Sequence, residues 1–90
     1  MQLSSRLKLR AGVRLKFDRT RNANLLLLPE RTVKLNHSAA AVLSCLNGTA
    51  TVDDVLSLLA MRYNSQNLTK DVIAFLEEAR DKGWVQAIDD

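Results

Sequence analysis

The chain carries a single cysteine, Cys45, and a single histidine, His37. One thiol excludes an intrachain disulfide, and one histidine without a neighbouring second ligand offers no zinc-type spacing. With only one proline and three glycines in 90 residues, there is little room for long linkers and no glycine-rich phosphate loop. No apolar run reaches the length of a membrane span. The first ten residues are basic but lack the following apolar stretch of a secretory signal, so the cytoplasm is the expected compartment.

Catalytic groupings are equally scarce. His37 and Cys45 stand eight residues apart on one expected helix. That is about 12 Å by the helical rise, too far for direct proton transfer. His37 is read as a surface residue and Cys45 as a buried structural thiol. The acid pairs Asp53-Asp54, Glu77-Glu78 and Asp89-Asp90 fall at a helix start, on a helix surface and at the tail, where solvated charge accounts for them. No enzyme activity, cofactor or metal is expected.

What is present suits one compact domain over residues 1–90. Apolar residues make up 47% and charged residues 26%, a globular balance. Charge is unevenly placed. Residues 1–35 hold nine Lys or Arg against Asp18 and Glu30, a net +7, whereas residues 36–90 hold four against eight acids, a net −4. The basic end would suit an acidic partner or a nucleic acid.

From Val13 the chain alternates, with Val13, Leu15 and Phe17 apolar and Arg14, Lys16 and Asp18 polar, as in a half-buried strand. Polar Arg19 to Asn22 make a turn. Leu25 to Leu28, apolar on both faces, reads as the middle strand of a sheet. Pro29-Glu30 forms a second turn, and Arg31 to Leu35 a third strand with Val33 and Leu35 on one face. Short connections favour an antiparallel meander whose first and third strands are edges.

The period then lengthens. Asn36 caps a helix over about Ser38 to Leu46, stopped by Asn47-Gly48. Thr51 caps a second helix, with Asp54 placed for a capping box and Val52, Val55, Leu56, Leu59 and Tyr63 as its stripe. Asn64 to Asn67 is a loop. Thr69 caps a third helix with Val72, Phe75, Leu76 and Ala79 inward, ended by Gly83, and Trp84-Val85 then lock onto the core. The fold expected is α+β: a three-stranded antiparallel sheet (residues 13–35) followed by a helical part (36–90), resembling a winged helix-turn-helix. Residues 1–11 read as a flexible arm. Leu7 and Leu9, a second copy or a partner protein would cover the apolar outer face of the sheet, so a homodimer stays open.

A winged helix-turn-helix reads DNA with its second motif helix. Here that helix has Lys70, Arg80 and Lys82 against Asp71, Glu77, Glu78 and Asp81. Its net negative charge repels phosphate. A DNA-binding regulator would have to use the basic sheet and arm, and that alternative ranks below a peptide-binding module with no nucleic-acid partner.

The ordered series of caps, turns and core positions resembles the PqqD family. It begins with Gly12-Val13-Arg14-Leu15, Phe17-Asp18 and Arg21. Leu27-Leu28-Pro29-Glu30-Arg31, Leu35-Asn36, Ala39, Val42-Leu43 and Asn47-Gly48 continue it. Thr51, Val55, Leu59, Tyr63, Asp71-Val72, Phe75-Leu76 and Gly83 complete it. Asn47, where an acid is common, and Trp84, where a smaller aliphatic often stands, depart from the pattern. The resemblance implies a non-enzymatic carrier in pyrroloquinoline quinone biosynthesis. Such a carrier binds the precursor peptide PqqA and presents it to PqqE, a radical S-adenosylmethionine enzyme. It implies further that the peptide adds a strand beside Arg31, Thr32, Val33, Lys34 and Leu35 and lies along Val72, Phe75, Leu76 and Ala79. Four backbone bonds contribute about 2–6 kcal/mol before ordering costs. Micromolar binding needs about 8 kcal/mol, so side-chain pockets must supply the remainder.

Overall fold

A computed structural model describes residues 2–63 and 68–88. The expected loop at 64–67 and the tail acids Asp89 and Asp90 lie outside the described residues. The order is β1 (Leu7–Leu9), β2 (Arg14–Asp18), β3 (Ala23–Leu27), β4 (Thr32–Leu35), α1 (His37–Ser44), α2 (Val52–Tyr63), α3 (Leu68–Asp81) and β5 (Val85–Ala87).

Strands β2, β3 and β4 form the antiparallel meander, in that spatial order. Its first turn is closed by the Asp18 carboxylate, which accepts from the N–H of Thr20 at 3.0 Å and of Arg21 at 3.3 Å, and Asn22 takes the left-handed conformation (φ 52). The second is the two-residue Pro29-Glu30 turn, where the Leu28 N–H donates to the Arg31 carbonyl at 2.8 Å. One face of the meander, carrying Leu15, Leu26 and Val33 in one row and Leu35 beside them, packs against α1. Phe17 shares that face but lies at its edge, 52% exposed.

The N-terminal residues depart from the flexible arm expected of 1–11. Leu7–Leu9 pairs antiparallel with Val85–Ala87, making a second, two-stranded sheet, and Leu7 is fully buried. The helical part 36–90 therefore ends in a strand. The arm is held because it satisfies helix-end donors: the Ser5 carbonyl accepts from Val52 N–H at 2.9 Å and the Leu3 carbonyl from Asp53 N–H at 3.0 Å. Leu7 thus enters the main core beside α2 and α3 and leaves the outer face of the meander uncovered.

Helix ends follow the capping logic, with two adjustments. The Asn36 side chain accepts from Ala39 N–H at 2.7 Å, as a cap should. Thr51 and Asp54 form a reciprocal box: Asp54 N–H donates to Thr51 Oγ1 at 3.1 Å, and Thr51 N–H to Asp54 Oδ2 at 3.0 Å. However, α1 ends at Ser44 with Cys45 as its cap, before Asn47-Gly48. Gly48 instead turns the chain (φ 86) so that its N–H reaches the Leu7 carbonyl at 3.2 Å. Thr69 lies inside α3, which starts one residue earlier. No helix among the described residues is long and apolar enough to cross a membrane.

Candidate functional site

The hydrogen-bond register of β4 follows from one contact. Leu28 and Arg31 are a hydrogen-bonded pair at the mouth of the turn. In an antiparallel ladder such pairs alternate with non-bonded ones. Stepping along the register, Leu27↔Thr32 is non-bonded, Leu26↔Val33 bonded, Leu25↔Lys34 non-bonded and Asn24↔Leu35 bonded. The backbone groups of Val33 and Leu35 therefore face β3, and those of Thr32 and Lys34 point away from the sheet. Because β4 is an edge strand, these two N–H and two C=O groups lie open along it, with no backbone partner among the described residues. They are the four bonds a guest strand would use.

Two cavities bracket this edge, the first lined in part by α3 and the second by the residues just past its end. The first, about 340 Å³, is lined by Asn36, Ser38, Ala39 and Val42 after β4, by Leu59 and Tyr63 of α2, and by Leu68, Asp71, Val72 and Phe75 of α3. Its walls are mostly apolar. The second, about 380 Å³, is lined by Arg10, Ala11, Val13, Leu28, Pro29, Glu30 and Arg31 before β4, and by Lys82 and Gly83 past the end of α3. The first cavity thus joins the residue after β4 to the first half of α3, and the second joins the residue before β4 to the turn that follows α3. From Val72 to Lys82 the helix advances about 15 Å, and from Arg31 to Asn36 the strand advances about 17 Å. The two lengths match, so an extended chain laid along β4 would pass from one cavity to the other.

The residues singled out from the sequence divide by depth. Thr32, Lys34 and Arg31 are exposed, Val33 and Phe75 are half-buried, and Val72 and Leu35 are nearly covered. Leu76 and Ala79 are fully buried. They hold α3 onto the core and line neither cavity. Arg10 and Lys82, outside the site expected from the sequence, reach the second cavity from distant parts of the chain. Leu59 and Tyr63 belong to the apolar stripe expected of α2. Leu59 is indeed buried, but Tyr63 is 38% exposed at the first cavity.

His37 is exposed, and Cys45, at the other end of α1, has its thiol directed to the Ala41 carbonyl at 3.3 Å. Among the described residues no group of three or more His, Cys, Asp or Glu is placed to hold a metal ion. The arrangement offers backbone pairing, an apolar cavity and a cationic one, which together are means of recognising an extended chain.

Known proteins show the same architecture. A solved structure, the solution NMR structure of the PqqD truncation of Methylobacterium extorquens PqqCD, superposes with a TM-score of 0.74 at 34% identity, covering 89% of this chain and 87% of that one. That protein is described as a functional, stand-alone recognition element for ribosomally synthesised and post-translationally modified peptides. A PqqA binding protein of Stutzerimonas stutzeri is 38% identical over 87 residues, 96% of this chain and 95% of its own length. In Methylorubrum extorquens a bifunctional coenzyme PQQ synthesis protein C/D is 43% identical over 58 residues, 64% of this chain but 16% of its own length. The profile of the family described as Coenzyme PQQ synthesis protein D matches residues 24–85, and the chain belongs to that PqqD family.

Proposed function

We propose that this protein binds the PqqA precursor peptide as an added strand on β4 and presents it to the radical S-adenosylmethionine enzyme PqqE, performing no chemistry itself. The observation that carries the reading is the open edge of β4, whose outward backbone groups at Thr32 and Lys34 lie between one cavity lined by residues of α3 and another lined by the turn after it. Strand addition to an exposed sheet edge supplies main-chain bonds, and pockets for alternate side chains supply the selectivity. The name of the Stutzerimonas relative, a PqqA binding protein, supports the same cargo. Fusion of the domain in the C/D protein supports a role beside pathway enzymes. Arg31, Thr32, Val33, Lys34 and Leu35 bear the guest strand. Val72 and Phe75 receive a side chain in the apolar cavity, while Leu76 and Ala79 fix α3 from behind.

A winged helix-turn-helix reading would send α3 into a DNA groove. That helix has Lys70 and Arg80 against Asp71, Glu77, Glu78 and Asp81, so phosphate would be repelled.

Proline substitution at two adjacent positions tests strand addition, because proline deletes one N–H. Lys34→Pro removes an outward donor: the protein should melt close to wild type and bind a synthetic PqqA peptide at least about tenfold more weakly. Val33→Pro removes a donor to β3 and should cost about 1–3 kcal/mol of stability. Undiminished peptide binding by a folded Lys34→Pro variant would refute the added strand.

A further inference from the structure

We infer that the cavity formed by Arg10, Arg31 and Lys82 is a carboxylate site that reads an aspartate or glutamate of the bound peptide, four residues C-terminal to the side chain held in the apolar cavity. The inference rests on the strand-addition reading and specifies the peptide it selects.

The spacing comes from the register. A strand pairing antiparallel with β4, as every neighbour in this sheet does, begins beside Leu35 and ends beside Arg31. Let the guest residue opposite Leu35 be the first; the residue opposite Val33 is then the third and that opposite Arg31 the fifth. Directly opposed residues share a face, and alternate residues along a strand point the same way. Leu35, Val33 and Arg31 occupy the helix-facing side in line with Asn24, Leu26 and Leu28. So the first, third and fifth guest side chains all point to the helical side of the sheet. The first is aimed at the apolar cavity entered past Asn36. The fifth continues the row Val13, Leu28, Arg31 into the second cavity, all three of which line it.

The lining of that second cavity decides the chemistry. It carries three cations against the single acid Glu30. Lys82 is shared: its ammonium lies 3.0 Å from Glu78 and 5.0 Å from the centre of the Trp84 ring. Both members of that ion pair are well exposed, so it holds Lys82 weakly. No ion pair is formed by Arg10 or Arg31 among the described residues. Two guanidiniums with free forks beside a concave polar space form a receptor for a planar carboxylate. Arg10 is brought there by the N-terminal strand: its N–H donates to the Trp84 carbonyl at 3.0 Å, and its Nη1 lies 3.5 Å from where a Cβ on Gly83 would stand. The β1–β5 pairing therefore helps to build the peptide site from the far side of the core.

The test uses the full chain and a synthetic PqqA precursor peptide, with each Asp and Glu of the peptide replaced singly by its amide. Against wild-type protein, one replacement should weaken binding about five- to twentyfold, a partly screened charge-pair effect. The Arg10→Gln/Arg31→Gln protein should lose a similar factor with the native peptide and then be indifferent to that same replacement. The sensitive acid should lie four residues C-terminal to an apolar residue whose truncation also abolishes binding. Native affinity in the double variant, with binding still lost in Lys34→Pro, would overturn the carboxylate site and leave strand addition standing. An acid that couples from the N-terminal side of the anchor would overturn the inferred direction. Equal weakening by every amide replacement would replace a site with general charge attraction. No binding of the peptide to wild-type protein would overturn the strand-addition reading and this inference together.

Discussion

Gly83 does three things within one turn of chain. Its N–H donates to the Arg80 carbonyl at 3.0 Å, while the N–H of Trp84 reaches back to the Ala79 carbonyl at 2.9 Å. That bond pair ends α3 as a Schellman motif, which requires the left-handed conformation Gly83 adopts (φ 79). The reversal also drops Trp84 into the core, only 6% exposed, and sets Lys82 over its ring. The indole N–H has no hydrogen-bond partner among the described residues, so burial of the ring works against an unmet donor. Gly83→Ala should destabilise the protein by about 1–2 kcal/mol, the cost of a side chain in left-handed backbone. A urea midpoint equal to wild type would show that this turn does not hold its conformation in solution. A glycine after an apolar stripe announced this helix end in the sequence. The same rule failed at Gly48, whose left-handed turn serves a contact with Leu7 and not a helix end. A stop signal read locally does not say which long-range bond the turn exists to make.

Among the elements, β2, β3 and β4 were legible because each has four or five residues of clear pattern bounded by turn chemistry. Strands β1 and β5 have three residues each and belong to opposite ends of the chain. Their alternation is too brief to register, and their stability comes from each other and from the core. Leu7 shows how firmly the first is held: it has 0% exposure and packs within the same cluster as Val52, Val55 and Leu76. Leu7→Ala should therefore cost about 2–5 kcal/mol, as for other buried leucines, where a flexible arm would show no change in melting. Loss of this strand would also release the Ser5 and Leu3 carbonyls from the first turn of α2, so the damage should extend to that helix in hydrogen exchange.

At the scale of the molecule, an edge strand available for pairing follows from strand order alone, which the sequence carried. The two cavities do not, because each collects residues from distant segments: Ala39, Tyr63 and Phe75 at one end, Arg10, Arg31 and Lys82 at the other. Periodicity assigns such residues to core or solvent and is silent on where two elements leave a gap. The register was also beyond the sequence, and it determines which amides of β4 are free. The outer face remains basic, with Leu25 flanked by Lys16 and Lys34 across the strands, and Leu27 by Arg14 and Thr32. An approaching acidic chain is thus attracted to the sheet and repelled by the acid-rich surface of α3, which favours docking from the sheet side. The central claim is that the guest chain completes the ladder of β4, and amide hydrogen exchange at four consecutive residues tests it most directly. In free protein, Val33 and Leu35 should exchange slowly, and Thr32 and Lys34 quickly. Saturation with PqqA peptide should slow Thr32 and Lys34 to the level of their neighbours, whereas unchanged fast exchange at both, with the peptide demonstrably bound, would contradict the account.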